Sequence, residues 1–337
     1  SPHRCAGRHY HYHKRTIRMI ASLPWQASSW QRVCAQIADG KMPHGILLAG
    51  PSDSGKANFA AGLGAYLLCR GHDKPCGECR QCNLVAAGTH PDLLEVTLED
   101  AKQIRIEQIR ELIHWATQTS QQGGYKVCII NPADKLNVQS ANALLKVLEE
   151  PPPKTLICLV SDQPTRLLPT LRSRCQRIDL GSPSQQEAVV WLQGQMDSSA
   201  DVELLLGIAG GMPLRVLNSI DEDYLKLRQE LASHLVPLSE GVRSPIQVAA
   251  LMAKEEVGRV LELLYQLVSD SIAFTLSGGK VIKNRDLSET IEQYSNLTSV
   301  ANRYKLLDHI SEAQGQLNGT SNPNGQMLLE GVFVKAG

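Results

Sequence analysis

The sequence predicts a parallel α/β layer carrying a phosphate-binding loop, followed by a small helical domain and a larger all-helical one. Three observations lead there. Short apolar runs alternate with helix-period segments across residues 19–180. A G-x-x-x-x-G-K string lies between the first of those runs and the helix after it. Strand patterning ceases after Gly181-Ser182-Pro183, and the remainder reads as helix.

In chain order, a helical stretch from Trp25 to Ile37 leads into Gly45-Ile46-Leu47-Leu48-Ala49. That run is too short for a helix and is closed by Gly50, so it predicts a buried strand. A helix is expected from about Gly55 to Leu68, then a cysteine-rich loop, then a strand over 93–97. Apolar residues at 106, 109, 112, 113 and 116 share one helix face, and Gly123-Gly124 ends that segment. Residues 126–130 predict a second buried strand, and 138–149 a helix stopped by Pro151-Pro152-Pro153. Residues 155–160 and 176–180 complete the strands. Beyond them, 184–195, 201–209 and 213–219 read as three short helices. A helical domain follows from about 223, with one long apolar-periodic stretch at 246–276 and a last helix at 297–318. The expected division is a basic tail at 1–18, an α/β domain at 19–180 with a cysteine module at 69–82, a helical lid at 181–222 and a helical domain at 223–337.

Composition narrows the function. With 42% hydrophobic and 20% charged residues, the chain can bury real cores. No unbroken apolar run approaches the ~18 residues of a membrane span, and no apolar leader follows the start, so the expectation is a cytoplasmic protein with no membrane partner. Five of the 34 basic residues lie within 1–18, which hold no acid, leaving 29 basic against 34 acidic elsewhere. That balance, with only 4% aromatic residues, disfavours a protein that grips nucleic acid by itself. The tail itself, with His3, His9, His11 and His13 and no periodicity, reads as disordered or non-native sequence rather than a metal-binding arm.

Gly50-Pro51-Ser52-Asp53-Ser54-Gly55-Lys56 has the strand-loop-helix setting that phosphate binding needs. Its amides can close around phosphate oxygens at a helix N-terminus, and Lys56 can reach the terminal phosphates. The next position should carry a hydroxyl for Mg²⁺ but is Ala57. The end of the 126–130 strand should carry an acid for the metal and a glutamate for water, but holds Asn131-Pro132. With three groups missing together, a hydrolytic site is not expected. Asp134 is the remaining candidate carboxylate, and its simpler role is to cap or flank the helix near Val138.

Cys69, Cys76, Cys79 and Cys82 have C-x6-C-x2-C-x2-C spacing. In a reducing compartment, clustered thiols favour metal over disulfide, and four thiolates fill a tetrahedral Zn²⁺ site, leaving no open position for catalysis. The alternative is a free-thiol or redox cluster. Cys128 and Cys158 lie in expected strands and read as core residues.

These parts occur together in a known family. The string Ser140-Ala141-Asn142-Ala143-Leu144-Leu145-Lys146-Val147-Leu148-Glu149-Glu150-Pro151-Pro152 and the later Leu171-Arg172-Ser173-Arg174-Cys175-Gln176 resemble the clamp-loader branch of the AAA+ proteins. The four-cysteine insertion and Gly88-Thr89-His90-Pro91-Asp92 are similar to those of its bacterial members. The motifs cover about 40–180, whereas 181–337 match in helical character and length. The resemblance implies an N-terminal AAA+ domain with a structural zinc insertion, a lid, and a C-terminal collar that joins a hetero-oligomeric ring with motor (gamma/tau) and delta subunits. It implies action on a sliding clamp and primer-template DNA through that ring. It also implies that Ser173-Arg174-Cys175 presents Arg174 as an arginine finger to a neighbour's ATP, and that Arg215, in Gly210-Gly211-Met212-Pro213-Leu214-Arg215, is a second sensor. Here Gly50, Gly55, Lys56 and Arg215 would form a degenerate nucleotide site, binding ATP or ADP without hydrolysis. The competing readings are an active motor ATPase of the same machine, opposed by Ala57, Asn131 and Pro132, and a zinc-dependent DNA-binding module, opposed by the charge balance.

Overall fold

The computed structural model describes residues 23–99, 101–197, 200–319 and 323–336; the expected tail at 1–18 lies outside them. The chain divides into two compact units, with the boundary between Pro183 and Ser184.

The first unit is a five-stranded sheet: β1 (Gly45–Ala49), β2 (Leu93–Val96), β3 (Lys126–Ile130), β4 (Thr155–Ser161) and β5 (Gln176–Asp179), in the order β2-β3-β4-β1-β5. Every pairing is parallel. Every residue of β1, β3 and β4 is buried, which is why these strands read as continuous apolar runs rather than alternating ones. Helices cover both faces. Ile46, Leu48, Val127 and Leu156 pack against Val33 of α1 (Ala27–Ala38) and Phe59 and Leu63 of α2 (Lys56–Leu68). Leu47, Cys128, Ile157 and Leu159 pack on the other face. There they meet α4 (Ile106–Thr117), α5 (Val138–Glu149) and Leu171 of the short α6 (Pro169–Arg172). Cys128 and Cys158 are core residues as expected, and burial pushes both thiols well up.

The expected cysteine loop contains a helix, α3 (Arg80–Ala86). Cys79 starts it, its sulfur accepting from the Cys82 amide, so a side chain outside the usual capping set does the capping.

The second unit holds two helical cores. α7 (Gln185–Gln193), α8 (Val202–Ile208) and α9 (Pro213–Ser219) enclose Ala188, Leu192, Leu206 and Val216. Ser184 and Glu187 cap α7 reciprocally. The larger core is formed by α10 (Glu222–Ser239), α11 (Pro245–Met252), α12 (Val257–Ser277), α13 (Ser288–Leu297), α14 (Val300–Leu317) and α15 (Gly325–Ala336).

Two expectations are corrected here. The stretch at 246–276 is two helices, α11 and α12, separated at 253–256. Lys254, Glu255 and Glu256 interrupt the apolar face, and Ala253 caps α11. The expected last helix at 297–318 is α14, starting after a break at Thr298 and followed by α15. Ser299 caps α14 through the Asn302 amide, which is why the chain restarts there.

Among the described residues one helix, α12, is long and apolar enough to cross a membrane by length and composition, and half of that window is buried in the helical unit. Its core face carries Val260, Leu264 and Val268. It also buries Asp270, whose carboxylate accepts from the Lys283 amide at 3.0 Å and from the Asn284 amide at 2.7 Å. Asn284 in turn accepts from buried Arg228 of α10 at 2.8 Å. A core helix of the bundle accounts for this pattern.

Candidate functional site

Parallel strands put the ends of β1, β3 and β4 on one edge of the sheet, where β4 lies between β1 and β3. Crossing to a non-adjacent strand opens a crevice at the carboxyl edge, the usual ligand position in such sheets. The phosphate loop follows β1 there and ends at Gly55, which has φ 89° and begins α2. That left-handed conformation favours glycine. Gly50 is needed for a different reason: a Cβ would lie 2.2 Å from the Leu180 carbonyl, so the loop can press onto the end of β5 only without one. Trp25 Nε1 and Gln26 Nε2 each donate to the Ser54 carbonyl at 2.9 Å, tying the loop to the segment ahead of α1.

Lys56 is buried at 4% exposure, and its ammonium is already engaged. It donates to the Pro51 carbonyl and lies 2.6 Å from the Asp162 carboxylate. The same carboxylate accepts from Ser52 Oγ at 2.6 Å. Asp162 comes into reach because Ser161, at the end of β4, is in register with Ala49, at the end of β1. Ala57 follows Lys56, and Asn131-Pro132 follows β3, so the metal and water positions carry a methyl, an amide and a ring. Asp134 flanks α5 without capping it: Asn137 is the cap, accepting from the Ser140 amide at 2.8 Å. The Asp134 carboxylate instead accepts from Ser161 Oγ at 2.8 Å and the Asp162 amide at 3.3 Å, which braces the end of β4.

The four sequence-predicted cysteines converge. Their sulfurs all lie within 4.8 Å of one another, with Cys69 to Cys79 at 3.9 Å and Cys76 to Cys82 at 4.0 Å. A tetrahedral ion with 2.3 Å bonds to sulfur needs about 3.8 Å between its ligands, so the donor set fits a metal ion. Amides already point at the sulfurs: Gly71 and Cys76 donate to Cys69 at 3.3 Å, and Cys79 donates to Cys76 at 3.3 Å. The Glu78 and Cys79 amides hold the Cys76 thiol below its ordinary value. Burial raises Cys79, but amide donors from Arg70 and Cys82 outweigh it and bring that thiol to about 6. Cys82 goes the other way, up, through burial. Gly71 leaves room for the turn, since a Cβ there would meet Cys76 at 2.7 Å.

A buried polar chain not evident from sequence fastens this module to the sheet. Asp92, 1% exposed, accepts from Ser120 Oγ at 2.8 Å and from the Gln121 and Gln122 amides at 2.9 and 2.8 Å. His90 Nδ1 accepts from the Asp92 amide at 3.0 Å, which leaves Nε2–H to donate to Gln81 at 2.8 Å. Burial lowers the His90 pKa against the opposing pull of Asp92, consistent with that neutral form. Gln81, beside Cys82, donates onward to Gln122 at 3.1 Å.

Arg174 lies on the opposite edge of the sheet. Its carbonyl is 3.2 Å from where a Cβ of Gly45 would stand, beside the first residue of β1, and Gln176 begins β5 in register with Ile46. At ~3.3 Å per residue, the five steps from Gly45 to Gly50 put roughly 16 Å between that edge and the start of the phosphate loop. The guanidinium is a third exposed, 2.7 Å from the Glu149 carboxylate, and donates to the Thr170 carbonyl at 3.0 Å. Arg215, on α9 of the second unit, is ion-paired with Glu262 of α12.

The structure thus brings Gly50, Gly55 and Lys56 together, and separately the four cysteines. It puts Arg174 and Arg215 in intrachain ion pairs. Sequence reasoning missed Asp162, Glu149 and Glu262, because each acts only through a strand or helix neighbour distant in the chain.

The profile described as DNA polymerase III, delta subunit, matches residues 25–184, and that described as DNA polymerase III, delta subunit, C terminal, matches residues 222–335. DNA polymerase III subunit delta' of Pseudomonas aeruginosa is 33% identical to this chain over 94% of it and 98% of the relative. The subunit of that name from Escherichia coli is 30% identical, covering 93% and 94%, and that from Haemophilus influenzae 29%, covering 93% and 97%.

Proposed function

Since the chain belongs to the delta' family of DNA polymerase III subunits, a clamp-loader family whose members work with other clamp-loader subunits, we propose that it is a non-hydrolysing ring subunit that supplies Arg174 to a neighbour's nucleotide. The observation that carries this reading is the separation of Arg174 from the phosphate loop along β1. A side chain at the amino edge of a parallel sheet does not reach a nucleotide held at the carboxyl edge of the same sheet. Any phosphate that Arg174 serves therefore belongs to another chain. An arginine in that role stabilises the charge spreading over the transferred phosphoryl group and contributes about 10³–10⁵ in rate when a partner supplies it.

The chain's own loop is read as structural or weakly nucleotide-binding. Gly55 and Lys56 support binding of ATP or ADP, but the polyphosphate has to displace Asp162 from Lys56 before it gains the ammonium. Ala57, Asn131 and Pro132 offer no Mg²⁺ ligand and no base. Residues 181–222 serve as the lid and 223–337 as the collar. Arg215 supports the contact between them through Glu262, and touching nucleotide would cost it that pair. The cysteine module holds structural Zn²⁺ through Cys69, Cys76, Cys79 and Cys82. The sliding clamp and primer-template DNA are engaged through the complex, in the cytoplasm.

Two measurements test the reading. Mixed with motor and delta subunits, the chain is expected to co-elute in one complex. Alone, it is expected to show no Mg²⁺-dependent ATP turnover. Turnover by the isolated chain that Lys56→Ala abolishes would reinstate the motor-subunit reading, and failure to join the complex would remove the ring assignment.

A further inference from the structure

We propose that Glu149 is a positioning residue for Arg174: it holds the guanidinium in a presented pose so that a neighbour's phosphate meets it already oriented. This rests on reading Arg174 as acting in trans.

Two adjacent pairs make the arrangement. Leu148 and Cys175 are buried, and both crowd the space where a Cβ of Gly45 would stand, at 2.9 and 3.2 Å. Their chain neighbours Glu149 and Arg174 emerge from that packed point side by side. Glu149 is the last residue of α5, and Pro151-Pro152-Pro153 follows close behind it. The carboxylate is therefore carried by a helix end fixed to the sheet. Arg174 Nη2 meets Glu149 Oε1 at 2.7 Å, and Nη1 donates to the Thr170 carbonyl at 3.0 Å.

A guanidinium has five N–H donors. These two contacts use one on each terminal nitrogen and leave three for an anion. The carboxylate is half exposed and the guanidinium a third exposed, so the pair is open to an incoming phosphate. An exposed ion pair of this kind adds little to folding. Its larger effect is to restrict a long side chain that otherwise loses its rotamer freedom on meeting the phosphate.

The test is steady-state ATPase of the whole clamp loader, reconstituted with wild-type motor subunits and primed DNA. Glu149→Ala is expected to lower kcat at the site Arg174 serves by about 3- to 10-fold, with KM for ATP, complex formation and the melting temperature of the chain unchanged. Glu149→Gln, which keeps an acceptor oxygen, should fall between the two. In an Arg174→Ala background, Glu149→Ala should do nothing further. If Glu149→Ala leaves kcat intact while Arg174→Ala lowers it, the positioning role is wrong and the trans reading stands. If neither variant changes kcat, the trans reading itself has failed. A faster Glu149→Ala enzyme, or a loss that adds to that of Arg174→Ala, would equally overturn the proposal.

Discussion

Arg174→Ala, reconstituted with wild-type motor subunits, is expected to assemble normally and to lose DNA-stimulated ATPase and clamp loading. Assembly is expected to rest on the helical collar at 223–337, and the fold should survive the change, because the Arg174 ion pair is exposed and such a pair contributes about 0–1 kcal/mol. The transition state is different. There, charge spreads onto the phosphoryl oxygens, and a fixed guanidinium stabilises it far more than it stabilises the bound substrate. At the one site the arginine serves, turnover should fall by about 10³ or more, while the whole complex loses the share which that site contributes. Arg177 supplies the control. It is half exposed and paired with Asp179 at 2.7 Å, so Arg177→Ala removes a neighbouring charge without touching the α6–β5 turn. Arg172 is a poorer control, since its Nε is buried without a hydrogen-bond partner among the described residues. Unimpaired ATPase for Arg174→Ala would return the residue to an ordinary surface pair with Glu149.

Removal of metal from the cysteine module is expected to unfold it without unfolding the sheet. Between Cys69 and α3 the chain has no apolar side chain beyond Cys76, Cys79 and Pro75, so nothing else there can form a core. A thiolate-bound Zn²⁺ supplies about 10 kcal/mol of local folding free energy, enough to decide whether such a segment is ordered. Elemental analysis should find one zinc per chain. Chelation should abolish amide protection over 70–79 and weaken it in α3, whose Val85 packs on the sheet core, and at 120–122, where Gln81 and Arg70 reach Gln122. Amides of β1 and β4, in the centre of the sheet, should keep theirs. Because protons compete with the ion for thiolates, zinc should be released more readily as pH falls. Metal-free protein with four titratable thiols and unchanged protection would leave the module a plain thiol cluster.

The periodicity of residues 45–180 made the alternating layer legible, because strands buried on both faces are continuous apolar runs and helices repeat every 3.6 residues. The cysteine spacing was legible for a related reason: four thiols within fourteen residues meet by local turns alone. The absence of metal-binding side chains after Lys56 and after Ile130 was equally visible, since the chemistry lies in the residue types themselves. Where local rules failed, they failed at breaks. The 246–276 stretch read as one apolar-periodic segment, whereas Lys254, Glu255 and Glu256 divide it into α11 and α12.

The sequence by itself thus determined the α/β class, the altered phosphate loop, the four-cysteine cluster and the helical second half, all properties encoded within one element or one turn. Tertiary structure alone decided the partners. Ser52 and Asp162 are 110 positions apart and meet because β4 pairs directly with β1. Arg174 faces away from the loop because all five strands run parallel, so residues before a strand and residues after it lie on opposite edges. Strand order and direction arise from non-local packing, and periodicity, which reports only which face of an element is apolar, carries no record of them.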